Sequence, residues 1–529
     1  MSPNRHAFIP ALAEIVGIDN VESSEKELED WRDPYDYRGT HRRKPLAVVS
    51  PASTEEVQAI VRAAGVHKVP LWSFSTGRNY GYGGPASATA HAVLVSLRRM
   101  NRILEVNEES AYAVVEPGVR FFDLYEALGE RGHTLWPSIP DLGWGSVVGN
   151  TLEHGVGFTP LGDHPMRQCG MEVVLADGTV LRTGMGAMEG NRASYHAKRG
   201  FGPSADGLFM QSNFGIVTKM GVWLTPRPEV FMSCDVRIER EEDLPALVDL
   251  TRKLLLDSTL QNSPIIYNTL RIARAFGGVG REYWYTGEGS IPDEGLDEMA
   301  SQLDCGRWFM RFALYGRREV VNANFGVCER TFGEIPDARV EGRLFDGASV
   351  PTELGEDTLG STQKPSDALK ALRHQCAAVQ AGVPSLTLLE NVRWEDASVA
   401  GHLDYSPVAP TTGPEAERVV TMLQRCYLEA GMDLSASLMI SARSFTTISM
   451  LWYDTEDAEA VAAAKTFLRT LIKTGAEHGY APYRSHLDVM DEVAHLFDFG
   501  HHALSRFNNR IKYALDPAGI LSPGKQGIL

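Results

Sequence analysis

The sequence predicts an α+β enzyme built around glycine-rich loops. Three observations carry this. Helical and strand-like runs alternate through the first 100 residues, two glycine clusters break that pattern roughly 60 residues apart, and strand pairs with turn signals recur near 103–116 and 171–183. Ser53-Thr54-Glu55-Glu56 opens a helix with a capping-box pattern, and Val57, Ile60, Val61 and Ala64 give it one apolar face. Gly65 and Pro70 bracket a switch to the strand-like run Leu71-Trp72-Ser73-Phe74. Residues 75–85 (STGRNYGYGGP) follow, with too many glycines for a regular element, so they form a loop of tight turns with exposed backbone amides. A strand is expected at 92–97, a hairpin around Asn107-Glu108-Glu109 and a helix at 121–130. The second glycine cluster covers 140–150 (PDLGWGSVVGN) and continues through Gly155, Gly157 and Gly162. Another hairpin turns on Ala176-Asp177-Gly178.

Composition changes after about residue 228. Helices are expected at 241–260, 364–382, 415–431 and 457–479, and strands near 307–314 and 436–453. A Pro/Thr/Gly loop is expected at 407–414. The tail at 516–525 is irregular again, like the first part of the chain. No internal repeat is evident.

The 529 residues are ample for a large core, with 43% hydrophobic and 22% charged residues. Length alone allows about three domains, and two large ones would serve. A net charge of −17 disfavours nucleic acid or an anionic membrane as the main partner. Cysteines at 169, 234, 305, 328, 376 and 426 form no CxxC and no short pairs, which suits a reducing compartment. The first residues carry no signal-peptide pattern, and the apolar-looking stretch 244–260 contains Asp249, Arg252, Lys253 and Asp257. A soluble, cytoplasmic protein is the expectation.

The glycine loops suit a phosphate or pyrophosphate, with Arg78 and Asn79 as added donors; the alternative is that the glycines only make tight turns. Neither a strand–GxGxxG–helix fingerprint nor GxxxxGK[ST] is present. HExxH is absent too, so no metal is expected, and the His501-His502 pair reads as a solvent-facing part of a helix. Ser146, in Gly-Trp-Gly-Ser-Val, lacks the GxSxG order of a nucleophile elbow. The residues by themselves thus reach a cofactor- or phosphate-binding α+β enzyme.

Beyond that, 75–85, 140–150, 155–164 (GVGFTPLGDH), 215–219 (GIVTK), Tyr483-Arg484-Ser485-His486 and 516–527 (DPAGILSPGKQG) match a known pattern, in order and over nearly the whole chain. The sequence resembles the vanillyl-alcohol oxidase / p-cresol methylhydroxylase flavoproteins, with its nearest likeness to bacterial 4-alkylphenol (eugenol-type) oxidases. The resemblance implies an FAD-binding domain of two α+β subdomains made from residues 1–230 and 478–529, and an α+β substrate cap at 231–477. By the same likeness Ser75, Thr76, Gly77, Arg78, Asn79, Tyr80 and Gly81 line the pyrophosphate. Gly145, Ser146, Gly149 and Asn150 approach the flavin or ribityl side, Gly215, Ile216 and Val217 meet the adenine end, and Pro140, Leu142, Gly157 and Lys525 complete the cofactor set. His402 is the implied covalent tether to FAD; Tyr405, nearby, fits the tyrosine-linked branch less well.

The implied chemistry is oxidation of 4-substituted phenols. Hydride leaves the para-benzylic carbon for flavin N5, a p-quinone methide forms, and oxygen is reduced to hydrogen peroxide. The alternatives are a dehydrogenase of the same fold that passes electrons to a cytochrome, or a flavin-binding protein without turnover. Tyr82, Tyr483 and Arg484 are the implied phenol-binding group, and Asp141 the carboxylate near N5. A phenol has a pKa of about 10, so three convergent donors, one permanently charged, would favour the phenolate. A homodimer is implied as well. The sequence departs from relatives at Phe158 and Leu161, where tyrosine is common, and at Arg443-Ser444-Phe445-Thr446-Thr447, where Arg-Glu-Met-His-His is frequent. It departs again at Asp404, where an aromatic or small residue is expected. These changes leave the para-substituent preference open.

Overall fold

The computed structural model describes residues 5–40, 42–355, 364–394 and 400–529. Three large β-sheets organise them, beside a small two-stranded one that pairs Leu135–Trp136 with Thr225–Pro226. The first takes strands Val21–Glu22, Ala47–Val49, Val93–Ser96 and Leu71–Phe74 in that spatial order, the last three parallel. Parallel neighbours need a crossover, and the helix Thr54–His67 provides it. Val57, Ile60, Val61 and Ala64 are buried against Phe8 and Leu12 of the helix Arg5–Val16. The Ser53 hydroxyl caps the helix by accepting from the Glu56 amide at 3.2 Å. The Glu56 carboxylate reaches the Ala52 amide at 2.7 Å rather than that of Ser53, so the expected reciprocal box is displaced by one residue. The chain's tail completes this sheet: the Leu71 amide donates to the Ile520 carbonyl and the Ser522 amide to the Leu71 carbonyl, both at 2.7 Å.

The second sheet is antiparallel, in the order Ile103–Asn107, Tyr112–Val115, Ile216–Trp223, Gln168–Val174, Val180–Arg182. Both expected hairpins are here. Its inner face packs on the helix Phe121–Gly129 through Phe121, Leu124 and Leu128.

The third sheet has nine antiparallel strands, all drawn from residues 230–482. Its centre is the hairpin Ser435–Ile440 with Ser444–Asp454, which divides the strand-like stretch expected at 436–453. The helices Leu244–Leu256, Gly413–Glu429 and Ala458–Glu477 cover one face with leucine, valine and phenylalanine side chains. The helix Ala368–Gln380 lies within the expected 364–382.

Two expectations are corrected. Pro407–Pro410 is a strand, paired with Ser444–Asp454 and with Ala481–Pro482, rather than the start of a loop. Its two prolines occupy its ends, where a missing ladder donor is tolerated. His501 and His502 lie in a left-handed turn, at φ 58° and 60°, and not within regular helix. Among the described residues no helix is long and apolar enough to cross a membrane, and all six cysteines are buried free thiols.

Candidate functional site

A cleft of about 360 Å³ runs between the glycine loops and the third sheet. The first loop leaves the end of strand Leu71–Phe74 and contributes Ser75, Thr76, Gly77, Arg78, Asn79, Tyr80 and Tyr82 to its wall. Gly77 turns the loop at φ +72° and Gly81 at φ +77°, a region glycine occupies without steric cost. The second loop adds Pro140, Asp141, Leu142, Gly145, Ser146, Gly149 and Asn150. Ser146 is the N-cap of the short helix Val147–Leu152, accepting from the Gly149 amide at 2.9 Å and donating to the Pro117 carbonyl at 2.6 Å. A Cβ at Gly149 would collide with the Ser75 hydroxyl, so the two loops meet with bare backbone. Arg78 stacks over Trp144 at 4.7 Å and joins them a second time. Gly215, Ile216 and Val217 line the cleft further along, and Lys525 enters from the tail, paired with Glu153 at 2.6 Å.

Tyr82 is brought together with the adjacent Tyr483 and Arg484, about 400 residues further along the sequence. The Arg484 guanidinium lies 4.3 Å over the Tyr82 ring and donates to Asn79 Oδ1 at 2.5 Å. Ser406 joins the group: its hydroxyl shares a 3.0 Å hydrogen bond with Tyr82, and its carbonyl accepts from the Tyr483 amide at 3.2 Å. Burial drives the Tyr82 hydroxyl well above its ordinary pKa, with the Asp404 charge adding to the effect, so it stays a neutral donor. Burial works against the Arg484 charge. The Tyr483, Tyr82 and Glu153 neighbours outweigh it and raise the pKa further.

Asp141 is held by Arg311 at 2.7 Å. Arg311 is buried on the strand Trp308–Gly316, with its guanidinium 4.1 Å from the Phe158 ring. Burial would lower its pKa, yet Asp141 and Tyr267 hold it above the usual arginine value.

Gly81, Gly157 and His402 do not line the cleft. Gly157 lies against Ser138 and His164. His402 is fully buried one layer behind the wall, with the ring of cleft-lining Tyr80 at 4.0 Å and Trp452 stacked at 5.0 Å. Its Nε2 has no hydrogen-bond partner among the described residues and faces Gly81, where a Cβ would come within 2.9 Å. Burial, helped by Arg271 and Arg274, lowers its pKa to about 3, so the imidazole is neutral. Tyr405 points the other way, into the helix-covered core of the third sheet. Phe158 lines the cleft, but Leu161 belongs to a small separate pocket with Phe121, Val147 and His164.

Sequence reasoning does not anticipate Ser406, Arg311 or the wall of Arg271, Leu388, Met439, Ile448 and Met450. One signal for Arg311 was present: a lone charge inside the apolar run Trp308–Gly316.

Bare glycine backbone along an elongated cleft and an unpartnered imidazole nitrogen behind its wall both suit a dinucleotide cofactor. Comparison with known proteins agrees. The family described as FAD binding domain matches residues 45–184, and the C-terminal domain of FAD-linked oxidases matches 443–526. The flavoprotein subunit of 4-cresol dehydrogenase (hydroxylating) from Pseudomonas putida is 34% identical over 485 residues, covering 92% of this chain and 88% of that one. The structure of 4-ethylphenol oxidase from Gulosibacter chungangensis, in an isoeugenol complex, superposes with a TM-score of 0.92. It is 38% identical, with coverage of 100% of this chain and 98% of that one. Substrate-bound p-cresol methylhydroxylase gives 0.90 at 32% identity, with the same coverage. Fold and cleft together define an FAD-dependent oxidoreductase. The chain belongs to the vanillyl-alcohol oxidase / p-cresol methylhydroxylase family.

Proposed function

We propose that this chain oxidises 4-substituted phenols at the para-benzylic carbon and passes the electrons to oxygen, releasing hydrogen peroxide. The observation that carries this is the convergence of Tyr82, Tyr483 and Arg484 on one cleft that Asp141 also lines. Bound FAD supplies the hydride acceptor. Arg484 offers a fixed positive charge to the phenol oxygen, and Tyr82 adds a neutral donor, so loss of the phenol proton is favoured before a hydride leaves. The hydride carries both electrons of the benzylic C–H bond, and the ring becomes a p-quinone methide. Asp141, kept in place by Arg311, balances charge at the reacting carbon and assists the water that adds there. The 4-cresol dehydrogenase and 4-ethylphenol oxidase relatives support the substrate class by their names. Anaerobic bleaching of the flavin by 4-ethylphenol, then rapid recovery in air with one equivalent of peroxide, is the expected result. Bleaching with slow recovery assigns the electrons to a protein carrier instead, and no bleaching by any 4-alkylphenol refutes the proposal.

His402 is proposed as a covalent attachment point for FAD. The support is its neutral, unpartnered, buried Nε2 and the opposite orientation of Tyr405. Acid-precipitated protein should retain yellow flavin on a peptide containing His402; a colourless pellet with all FAD in the supernatant sinks the tether.

A further inference from the structure

Among the described residues three carboxylates line the cleft, and two are committed to partners. Asp141 binds Arg311 at 2.7 Å, and Glu153 binds Lys525 at 2.6 Å. The third, Asp404, is only 6% exposed, and its Oδ1 has no hydrogen-bond partner among the described residues. A carboxylate oxygen buried in this way is costly unless something supplies a donor, and no described residue does so for Oδ1. Burial accordingly raises its pKa to about 7, although the positive charges of Arg271 and Arg484 oppose the shift.

Where this acid sits follows from the strand Ala400–Tyr405. Alternation turns Leu403 and Tyr405 into the helix-covered core, and sends His402, Asp404 and Ser406 toward the glycine loops. Ser406, two residues on and roughly 7 Å along the strand, carries the Tyr82 hydroxyl. Gly81, directly before Tyr82, is the neighbour of Asp404 Oδ2: a Cβ there would come within 2.5 Å. Arg484, a member of the same donor group, is one of the two cations acting on Asp404, whereas Arg311 is taken by Asp141. Asp404 therefore belongs to the end of the cleft where the phenol oxygen is held. The same wall also carries Arg271, a donor that acts on Asp404, and the apolar Leu388, Met439, Ile448 and Met450, so Asp404 is the acceptor that it offers a ring substituent.

We propose that Asp404 accepts a hydrogen bond from a second ring hydroxyl beside the phenol oxygen, so that the preferred substrates are 4-alkylcatechols. This rests on the reading of the cleft as a phenol site. A catechol places its second hydroxyl next to the first and brings the donor that Oδ1 lacks. A methoxy group at the same position brings no proton and leaves the ionised carboxylate unsatisfied in a smaller space. Recognition by a buried polar group gives strong discrimination, because the analogue without the donor strands that group.

The test is anaerobic flavin reduction in the holoenzyme by 4-ethylcatechol, 4-ethylphenol, 4-ethyl-2-methoxyphenol and 4-(2-hydroxyethyl)phenol. It is run on wild type, Asp404→Leu and, to guard against misfolding of the leucine variant, Asp404→Asn. The expected result is a wild-type preference of about tenfold or more for 4-ethylcatechol over 4-ethylphenol. That ratio should collapse toward one in Asp404→Leu and fall in Asp404→Asn. A wild-type ratio near one, or a ratio unchanged in both variants, overturns the inference while leaving the phenol reading intact. So does a preference confined to the side-chain hydroxyl of 4-(2-hydroxyethyl)phenol, which would place Asp404 at the para substituent. If no phenol of the series bleaches the wild-type flavin, it is the underlying function that fails.

Discussion

The Arg311–Asp141 pair allows the sharpest energetic test. The Arg311 side chain is 2% exposed and that of Asp141 21%, so the two ends of the bridge have different fates when it is cut. Asp141→Asn leaves a guanidinium buried against Phe158 and Tyr267 without a counter-charge, a loss at the upper part of the roughly 3–5 kcal/mol expected for breaking a buried pair. Arg311→Met leaves a carboxylate that water can partly reach, and its cost should fall near the lower end, about 3 kcal/mol. The double variant removes both charges and should be destabilised by less than the sum of the singles, with a coupling of about 1–3 kcal/mol. Denaturant unfolding of all four proteins, at fixed protein and FAD concentrations and followed by circular dichroism, measures the cycle. Strict additivity, with a coupling below about 0.5 kcal/mol, would show that the two groups do not depend on each other and refute the reasoning. Flavin reduction adds a functional arm: Arg311→Lys should recover part of the rate that Arg311→Met loses, because it keeps a cation beside Asp141.

Three further outcomes follow from the same geometry. Arg484→Ala should slow flavin reduction by 4-ethylphenol by at least about a hundredfold, and Tyr82→Phe by roughly tenfold, as judged by stopped-flow absorbance; equal rates in both variants and wild type contradict the donor group. Gly81→Ala forces a side chain into φ +77° and against the Asp404 carboxylate, and should weaken FAD retention on gel filtration at constant load. Asp404 also makes stability depend on pH. Its pKa rises from 3.8 unfolded to about 7 folded, so the native state takes up the proton first, and stability relative to Asp404→Asn falls as pH rises between about 4 and 7. Above that window the difference is constant. At about 1.4 kcal/mol per unit the change approaches about 4 kcal/mol at most; a flat difference between pH 4 and 8 contradicts the shift.

The glycine loops were legible because glycine density leaves few conformations open: residues 75–85 and 140–146 are loops with bare backbone that line the cleft, whereas the second cluster's last residues begin the helix Val147–Leu152, which its glycines concealed. The hairpins at 103–115 and 168–182 were legible from local turn chemistry. Pairings over long separations were not. Arg311 meets Asp141 across 170 residues and Tyr82 meets Ser406 across 324, and a single sequence carries no local trace of either register. The strand Pro407–Pro410 was hidden by its own prolines, which read as a loop, and the preceding strand Ala400–Tyr405, whose alternation turns His402 and Asp404 to the same side, was not anticipated either. The tyrosines and Arg484 came from family likeness, since nothing local in the sequence separates them from packing or surface residues.

The pairing of Leu71 with Ile520 and Ser522 has a consequence for biosynthesis. The strand it secures, Leu71–Phe74, is the one from which the first glycine loop springs. During synthesis roughly 440 residues separate Tyr82 from Ser522, and at about 5–20 residues per second that gap lasts roughly 20–90 s. Through this interval the loop's supporting strand has one edge unpaired, and Lys525 has yet to meet Glu153. A nascent chain must keep that edge from pairing elsewhere until residues 520–522 have been made.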